Sequence, residues 1–497
     1  MKTINKKNFS SVLILAIAAS TLLNSCNAAS DTNGTTAGNN SSNAAGTEQQ
    51  TTERPDSLPD NLNFNGETLN LLVRYDDLPL DDASFEFYAE AEDSDIVNDA
   101  VYKRNKTVED RLNIKLNVIK GPGWQDYSKA MSMIKTSISS GDNSYDLIAG
   151  WSANIPSLSL DGILLDLKAL PHLNLSEKWW NQSLVEELDI AGKLNFVAGD
   201  VNLTFLSSCM VIFVNNTLQQ EYGLPNIYDT VFNGDWTLDY MTELTRNVHK
   251  DLNGDGVMDD NDQYGAIWAK WNGFDGYMQA AGIKMTKKDE NGIPYLDVEY
   301  EKLAALVDKV YKFSYENEGV TVPENTDMVV PFKANRALLV PGWIRYAETS
   351  YRDMESDYSI IPYPKFDDKQ DQYYARVQDG ASLMCIPVNS NKLEMTGAFL
   401  EAAASESYRN VSSVYFDVAM KTKYTRDDTS AKMLDIIREG AYLNFASIYN
   451  YSIGSPWAVM RDLLNEKKNN FASWYEQNEP KIKTAIEKLV AKMESAE

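Results

Sequence analysis

One run of the chain is built from groups that bind hard cations: Asp251-Leu252-Asn253-Gly254-Asp255-Gly256-Val257-Met258-Asp259-Asp260-Asn261-Asp262. Oxygen-bearing side chains fall at positions 1, 3, 5, 9 and 12 of the run, and glycine holds position 6. Ca2+ takes roughly six to eight oxygen ligands, and a loop that wraps it turns sharply where the glycine sits. The spacing predicts calcium held by Asp251, Asn253, Asp255, the Val257 carbonyl, Asp259 and Asp262. Position 12 is Asp where most EF-hands carry Glu, and residues 263–268 read as a strand. The expectation is therefore a calcium loop without the second helix of an EF-hand. A filled coordination shell leaves no position open for substrate, so the expected role of the ion is structural.

The second chemical signal is Cys26. Lys2, Lys6 and Lys7 form a basic start, an apolar stretch covers residues 12–23, and Leu23-Asn24-Ser25-Cys26 follows. A stretch that short reads as an export signal, since a spanning helix needs about 20 apolar residues. Leu-x-Ser-Cys resembles a bacterial lipobox, in which the signal is cut before the cysteine and the cysteine is lipidated with palmitate-type chains. Residues 1–25 are then a signal peptide, and residues 26–61 a lipidated Cys and flexible tether. The stretch after Cys26 is rich in Ser, Thr, Asn, Gly and Ala and has no apolar period. The lipid would hold the chain on a membrane surface.

Composition bounds the partners. The chain has 497 residues and a net charge of −26, and the loss of residues 1–25 with their three lysines takes it to about −29. Nucleic acid and anionic lipid both demand a basic face, so both are excluded as partners, and the only expected tie to a membrane is the anchor. Cys209 and Cys385, in apolar surroundings, read as buried free thiols. Two histidines, His172 and His249, give a histidine-based zinc site or a Ser-His triad little to draw on.

The elements that must position any site alternate between strand and helix. Strand patterns cover 68–74, 114–119 and 145–149, and helical ones cover 99–111 and 127–138. A β-α-β-α-β order implies a largely parallel sheet with helices on both faces. A second such region opens at 211–214, and Thr237 caps a helix that carries Met241, Leu244 and Val248 on one face. The length fits two or three domains of about 150 residues.

Together these pieces resemble the extracellular solute-binding proteins of bacterial ABC importers, in the family 1 branch that handles oligosaccharides. The resemblance is carried by the strand 211–214 running to Asn216, by Asp235-Trp236-Thr237, and by the loop 251–265 ending in Tyr264-Gly265. It continues through Arg336-Ala337-Leu338-Leu339 to Gly342 and Arg345, Ile361-Pro362-Tyr363-Pro364-Lys365-Phe366-Asp367 with Gln370, residues 401–408, and Lys423-Tyr424-Thr425-Arg426-Asp427. It implies an α/β fold of the two-lobed periplasmic-binding-protein type II, with the ligand cleft between the lobes. Carried onto this chain, lobe one is 62–199 plus 377–425, and lobe two is 200–376 plus 426–497. The implied function is capture of an oligosaccharide by lobe closure and delivery to an ABC permease in the cytoplasmic membrane. The protein would work as a monomer and without catalysis. It would be lipid-anchored on the extracellular face of the cell membrane, which is the periplasmic side in a Gram-negative host.

The resemblance, with the rule that ligands of open α/β sheets lie at the carboxyl ends of strands, points to particular residues. Sugars present polar edges and apolar faces, which call for flat aromatics and planar Asp, Asn or Arg groups. The expected ligand contacts are Trp151 and Asn154 after strand 145–149, Asp200 at the first crossing, and Trp268 and Trp271 after the calcium loop. Trp343 and Arg345 follow strand 337–340, and Arg376 and Asp379 flank the second crossing. Core packing is the other reading for any of the ten tryptophans, and a hinge ion pair is the other reading for Arg376 and Asp379. Two other functions fit the same composition: an exported calcium-binding polysaccharide hydrolase using two carboxylates, and a receptor for a non-sugar solute such as a peptide.

Overall fold

The computed structural model describes residues 56–77, 82–270, 272–324, 327–420 and 428–495. The signal peptide, Cys26, most of the tether and Trp271 lie outside the described residues.

The first sheet is built from the predicted β-α-β-α-β run. Strand Glu67–Tyr75 pairs in parallel with Ile114–Pro122 on one side and with Leu147–Trp151 on the other. Its side chains alternate as a pleat demands. Leu69, Leu71 and Val73 enter one core with Val108, Leu112 and Phe399, while Leu72 enters another with Ile134 and Ile148. Helix Ile96–Leu112 is capped by the Asp95 carboxylate and stopped by Asn113 in the left-handed conformation. Helix Tyr127–Ser140 ends on Gly141, also left-handed.

Neither sheet is wholly parallel, and one cause of the departure is common to both. Ser382–Cys385 runs antiparallel to Leu147–Trp151 at the edge of the first sheet. In the second sheet Met210–Asn215 runs antiparallel to both Ala337–Trp343 and Tyr358–Pro362, while Ala337–Trp343 is parallel to Gln263–Ile267. Ser382–Cys385 and Met210–Asn215 each arrive from the other lobe, entering where the parallel strands end, so they run back against them. His249–Lys250 is antiparallel to Gln263–Ile267 for a local reason, as the preceding strand of its own lobe. The crossing stretches are themselves joined, by bridges Val197↔Met384 and Cys209↔Val377 and by the Gln378 amide donating to the Ser208 carbonyl at 2.9 Å. The carboxyl ends of both sheets therefore meet at the crossings.

Within the stretch expected as tether, the Asp56 carboxylate receives both Nη groups of Arg111, at 2.6 and 2.7 Å, and Leu58 is buried. An ion pair and an apolar anchor fix residues 56–58 to helix Ile96–Leu112. Helix Leu393–Asn410 backs the first sheet, and helix Phe471–Ser495 packs on helix Tyr300–Tyr315 of the second lobe. The end of that last helix returns to lobe one, where Lys492 pairs with Asp161 at 2.8 Å. Cys209 and Cys385 are buried free thiols, as expected. Thr237 caps helix Leu238–Arg246 through its hydroxyl.

Candidate functional site

The second crossing, residues 375–382, is the spine of the site. On the lobe-one side Ser382 is the ladder partner of Trp151. Ser152 binds the same segment twice, its amide donating to the Ala381 carbonyl at 2.9 Å and its hydroxyl to the Asp379 carbonyl at 2.7 Å. Arg74, at the end of strand Glu67–Tyr75, donates to the Gly380 carbonyl at 2.9 Å. On the lobe-two side Met210 is the ladder partner of Trp343, and its sulfur lies 3.6 Å from Arg376 Nη1. Trp151 and Trp343 thus flank one segment, each half-buried, as the strand-end argument expects.

A charge network lies along the same spine. Arg376 is buried and donates to Asp379 Oδ1 at 2.9 Å, with its other Nη 3.5 Å from Asp275 Oδ2. Arg461 closes on the buried Asp275 carboxylate through Nε at 2.9 Å and through Nη2. Tyr451, 64% exposed, donates its hydroxyl to Asp379 Oδ2 at 3.2 Å. The Asp379 charge beside it pushes the Tyr451 pKa up. Arg376 and Asp379 are thus the ion pair that the second reading expected. Their partners Asp275, Tyr451 and Arg461 were not legible in sequence, because Asp275 and Arg461 stand 186 residues apart with no local motif around either.

Trp151 also roofs a small crevice. Its rim holds Tyr127, 46% exposed and edge-to-face with Trp151 at 6.1 Å, together with Arg74 and Asn154. A Cβ on Gly150 would lie 2.2 Å from Ile155 Cδ1, so only glycine in the strand lets Ile155 fold under the tryptophan.

Three expected contacts stand elsewhere, and a fourth is not described. Trp268 is fully buried in lobe two, stacked on Tyr277 at 5.6 Å and edge-on to Phe313 and Tyr363, and its Nε1 donates to the Gly273 carbonyl at 2.8 Å. Strand Gln263–Ile267 ends one residue earlier, and the ring turns inward to fill the space between helices. Trp271 lies outside the described residues. Asp200 is buried at the first crossing, where its amide donates to the Trp179 carbonyl at 2.9 Å. Its side chain lines a different crevice, with Tyr408 and Arg438, and burial pushes its pKa up to about 6. Arg345 crosses to lobe one, donating to the Asp82 carbonyl at 3.0 Å with its guanidinium 5.1 Å over the Phe85 ring. It is a strut between lobes.

A second strut is Glu86. Its carboxylate accepts from the Thr204 amide at 2.7 Å and from the Thr204 hydroxyl, while the Ser382 amide donates to that hydroxyl oxygen at 2.9 Å. One buried acid therefore joins lobe one to both crossings, and its burial raises its pKa.

The predicted calcium loop is wound by its own side chains. Asp251 accepts from the amides of Gly254 at 2.6 Å and Gly256 at 2.8 Å, which holds its pKa below the usual carboxylate value. Asn253, Asp255 and Asp259 each accept from the amide two residues on. Asp262 is fully buried and accepts from Leu252 and Asp259. The donor types suit a hard cation. Among the described residues, however, no group of three or more Asp, Glu, His or Cys side chains is gathered as a metal site.

Neither protein-family models nor curated proteins match this chain. Solved structures do. The GacH receptor of Streptomyces glaucescens, solved unliganded and with acarbose, is 11% identical with a TM-score of 0.51, covering 86% of this chain and 99% of its own. A sugar transporter of Rhizobium etli in an open conformation is 14% identical with a TM-score of 0.54, covering 86% and 99%. The cyclic alpha-maltosyl-1,6-maltose binding protein of Arthrobacter globiformis is 13% identical with a TM-score of 0.54, covering 85% and 98%. This chain has the two-lobed α/β fold of those proteins. None of the three is described as an enzyme. Among the described residues no helix is long and apolar enough to cross a membrane.

Proposed function

We propose that this protein is a receptor that captures an oligosaccharide between its lobes and delivers it to an ABC permease. The observation that carries this reading is that Trp151 pairs with Ser382 and Tyr451 bonds Asp379 on the segment 375–382, while Trp343 pairs with Met210, whose sulfur touches Arg376 of the same segment. Aromatic faces and planar charged groups from both lobes suit the apolar faces and hydroxyl edges of a sugar. Closure about the crossings would bring the two tryptophans onto opposite sides of the ligand. The three structural relatives, each described by a sugar or sugar-like ligand or cargo, support the same class. Thermal shift against a panel of oligosaccharides, with a reducing-sugar assay alongside, tests it. Stabilisation without release of reducing ends is expected. Turnover would replace the reading with the hydrolase, and stabilisation by peptides alone with a peptide receptor.

The anchor and the metal belong to the same proposal. Cys26 carries the lipid, and Cys26→Ala is expected to release the protein from washed membranes. Calcium binds the loop through Asp251, Asn253, Asp255, the Val257 carbonyl, Asp259 and Asp262, with a structural role. What supports it is the oxygen spacing and the turn that Asp251 winds around Gly254 and Gly256. A ligand that binds only the folded state raises Tm. Chelation is therefore expected to lower Tm in the wild type and to change nothing in Asp255→Ala.

A further inference from the structure

We propose that the crevice under Trp151 is a subsite for a small apolar substituent on the bound sugar, such as an O-acyl or O-alkyl group. The inference rests on the sugar-receptor reading above.

Position is the first support. The chain runs from strand Glu67–Tyr75 to its neighbour Ile114–Pro122 on one side, then returns to Leu147–Trp151 on the other. The order reverses between Glu67–Tyr75 and Leu147–Trp151, and at such a reversal the connections leave on opposite faces and open a space above the strand ends, where ligands of α/β sheets bind. The crevice lies there, lined by residues 72–74, 148–151 and the first turns of helix Tyr127–Ser140.

Chemistry is the second. The walls are Leu72, Val73, Met131, Ile134, Ile148 and Ile155. No carboxylate lines the crevice, and its side chains with a nitrogen or oxygen are Arg74, Tyr127, Trp151 and Asn154. Arg74 is directed to the Gly380 carbonyl. A sugar ring pushed between these walls would lose water from its hydroxyls without partners to replace it, which is costly. An alkyl or acyl group loses nothing of the kind and gains burial. The ring itself would remain outside, against Trp151, with its substituent pointing in. The glycine at 150 that admits Ile155 builds an apolar wall at the point where a polar one would serve a bare sugar.

The test uses paired ligands. Oligosaccharide pools from acetylated xylan, glucomannan and pectin are split, and half of each is deacetylated with alkali. Calorimetry with the full chain then compares the two halves. A methyl-sized difference in an apolar pocket changes affinity by about tenfold or more, so the acetylated half of the recognised pool is expected to bind about tenfold tighter. Ala130→Phe fills the crevice from helix Tyr127–Ser140 and is expected to bring the two halves within about twofold. Equal affinity of wild type for both halves of the pool it binds would overturn the subsite and leave the sugar reading intact. Binding to no pool in either form would overturn both. The wild-type comparison decides the matter even if the Ala130→Phe chain does not fold.

Discussion

Trp151 and Trp268 occupy matching places, each at the carboxyl end of a parallel strand in its lobe, and the chain uses them in opposite ways. Trp151 remains half-buried, with a crevice beneath it and Tyr127 edge-on beside it. Trp268 is sealed by Tyr277, Phe313 and Tyr363, with its Nε1 bonded to Gly273. Lobe two has filled its strand end with its own aromatics, whereas lobe one has left its end to be filled. The strand-end rule locates where a ligand goes, but the neighbouring helices decide whether the space is already taken. In lobe two the strand that ends in a half-buried aromatic is Ala337–Trp343, whose neighbour Met210 enters from the crossing.

The largest effect expected from this contrast is on folding. Trp268→Ala removes a ring with protein on every side and leaves a cavity, at a cost of about 3–5 kcal/mol. Its sugar affinity, measured well below the lowered Tm, is expected to match wild type. A Trp268→Ala chain that melts normally but binds poorly would put this ring in the cleft after all and erase the contrast.

Much of this frame was legible in the sequence. The strand patterns at 68–74 and 114–119 were legible because short apolar or alternating runs mark strands that face a core. The cap at Thr237 lies beside its helix, so local chemistry reveals it. The antiparallel strands were not legible, since direction is set by which lobe the chain comes from, and no residue within Met210–Asn215 encodes that. The fate of Trp268 was equally hidden: the residues that enclose it come from Tyr277, Phe313 and Tyr363, on three later elements. Asp56 reads as part of a polar tether until Arg111 is seen beside it.

The lobes also differ in how they bury acid, and this sharpens the comparison through pH. Asp275 in lobe two has two arginines against it. Glu401, in the helix behind the lobe-one sheet, is buried with no cation against it among the described residues, accepting from the Asn174 amide at 3.1 Å and Trp180 Nε1 at 3.3 Å, with Trp179 beside it. Burial pushes its pKa from 4.5 up to about 7. The folded chain then keeps a proton that the unfolded chain releases, so this residue stabilises most below pH 4.5 and its contribution is lost as pH rises to about 7. A shift of this size corresponds to on the order of 2–3 kcal/mol. Glu401→Gln is expected to flatten the melting temperature between those pH values, whereas a wild type with no decline in that window would show Glu401 ionised in the fold.

The smallest effect on folding, and the one most telling for function, is expected at Trp151. Its ring packs on Tyr127 and on the rim of a crevice that is already empty space. Truncation therefore exposes little that was sealed, and Trp151→Ala is expected to cost about 1 kcal/mol of stability or less, against the several lost at Trp268. Binding responds the other way. The ring sits where Ser382, Ser152 and Arg74 tie lobe one to the crossing, the place proposed for a sugar held between the lobes. Losing a desolvated stacking face at the centre of an interface costs about 2 kcal/mol, so affinity is expected to fall at least about tenfold. Trp151→Phe keeps a flat face and is expected to recover most of it, which a role confined to packing would not require. Melting curves and calorimetry on both variants separate the cases. If Trp151→Ala loses as much stability as Trp268→Ala and keeps its affinity, the two strand ends are built alike and the cleft lies elsewhere.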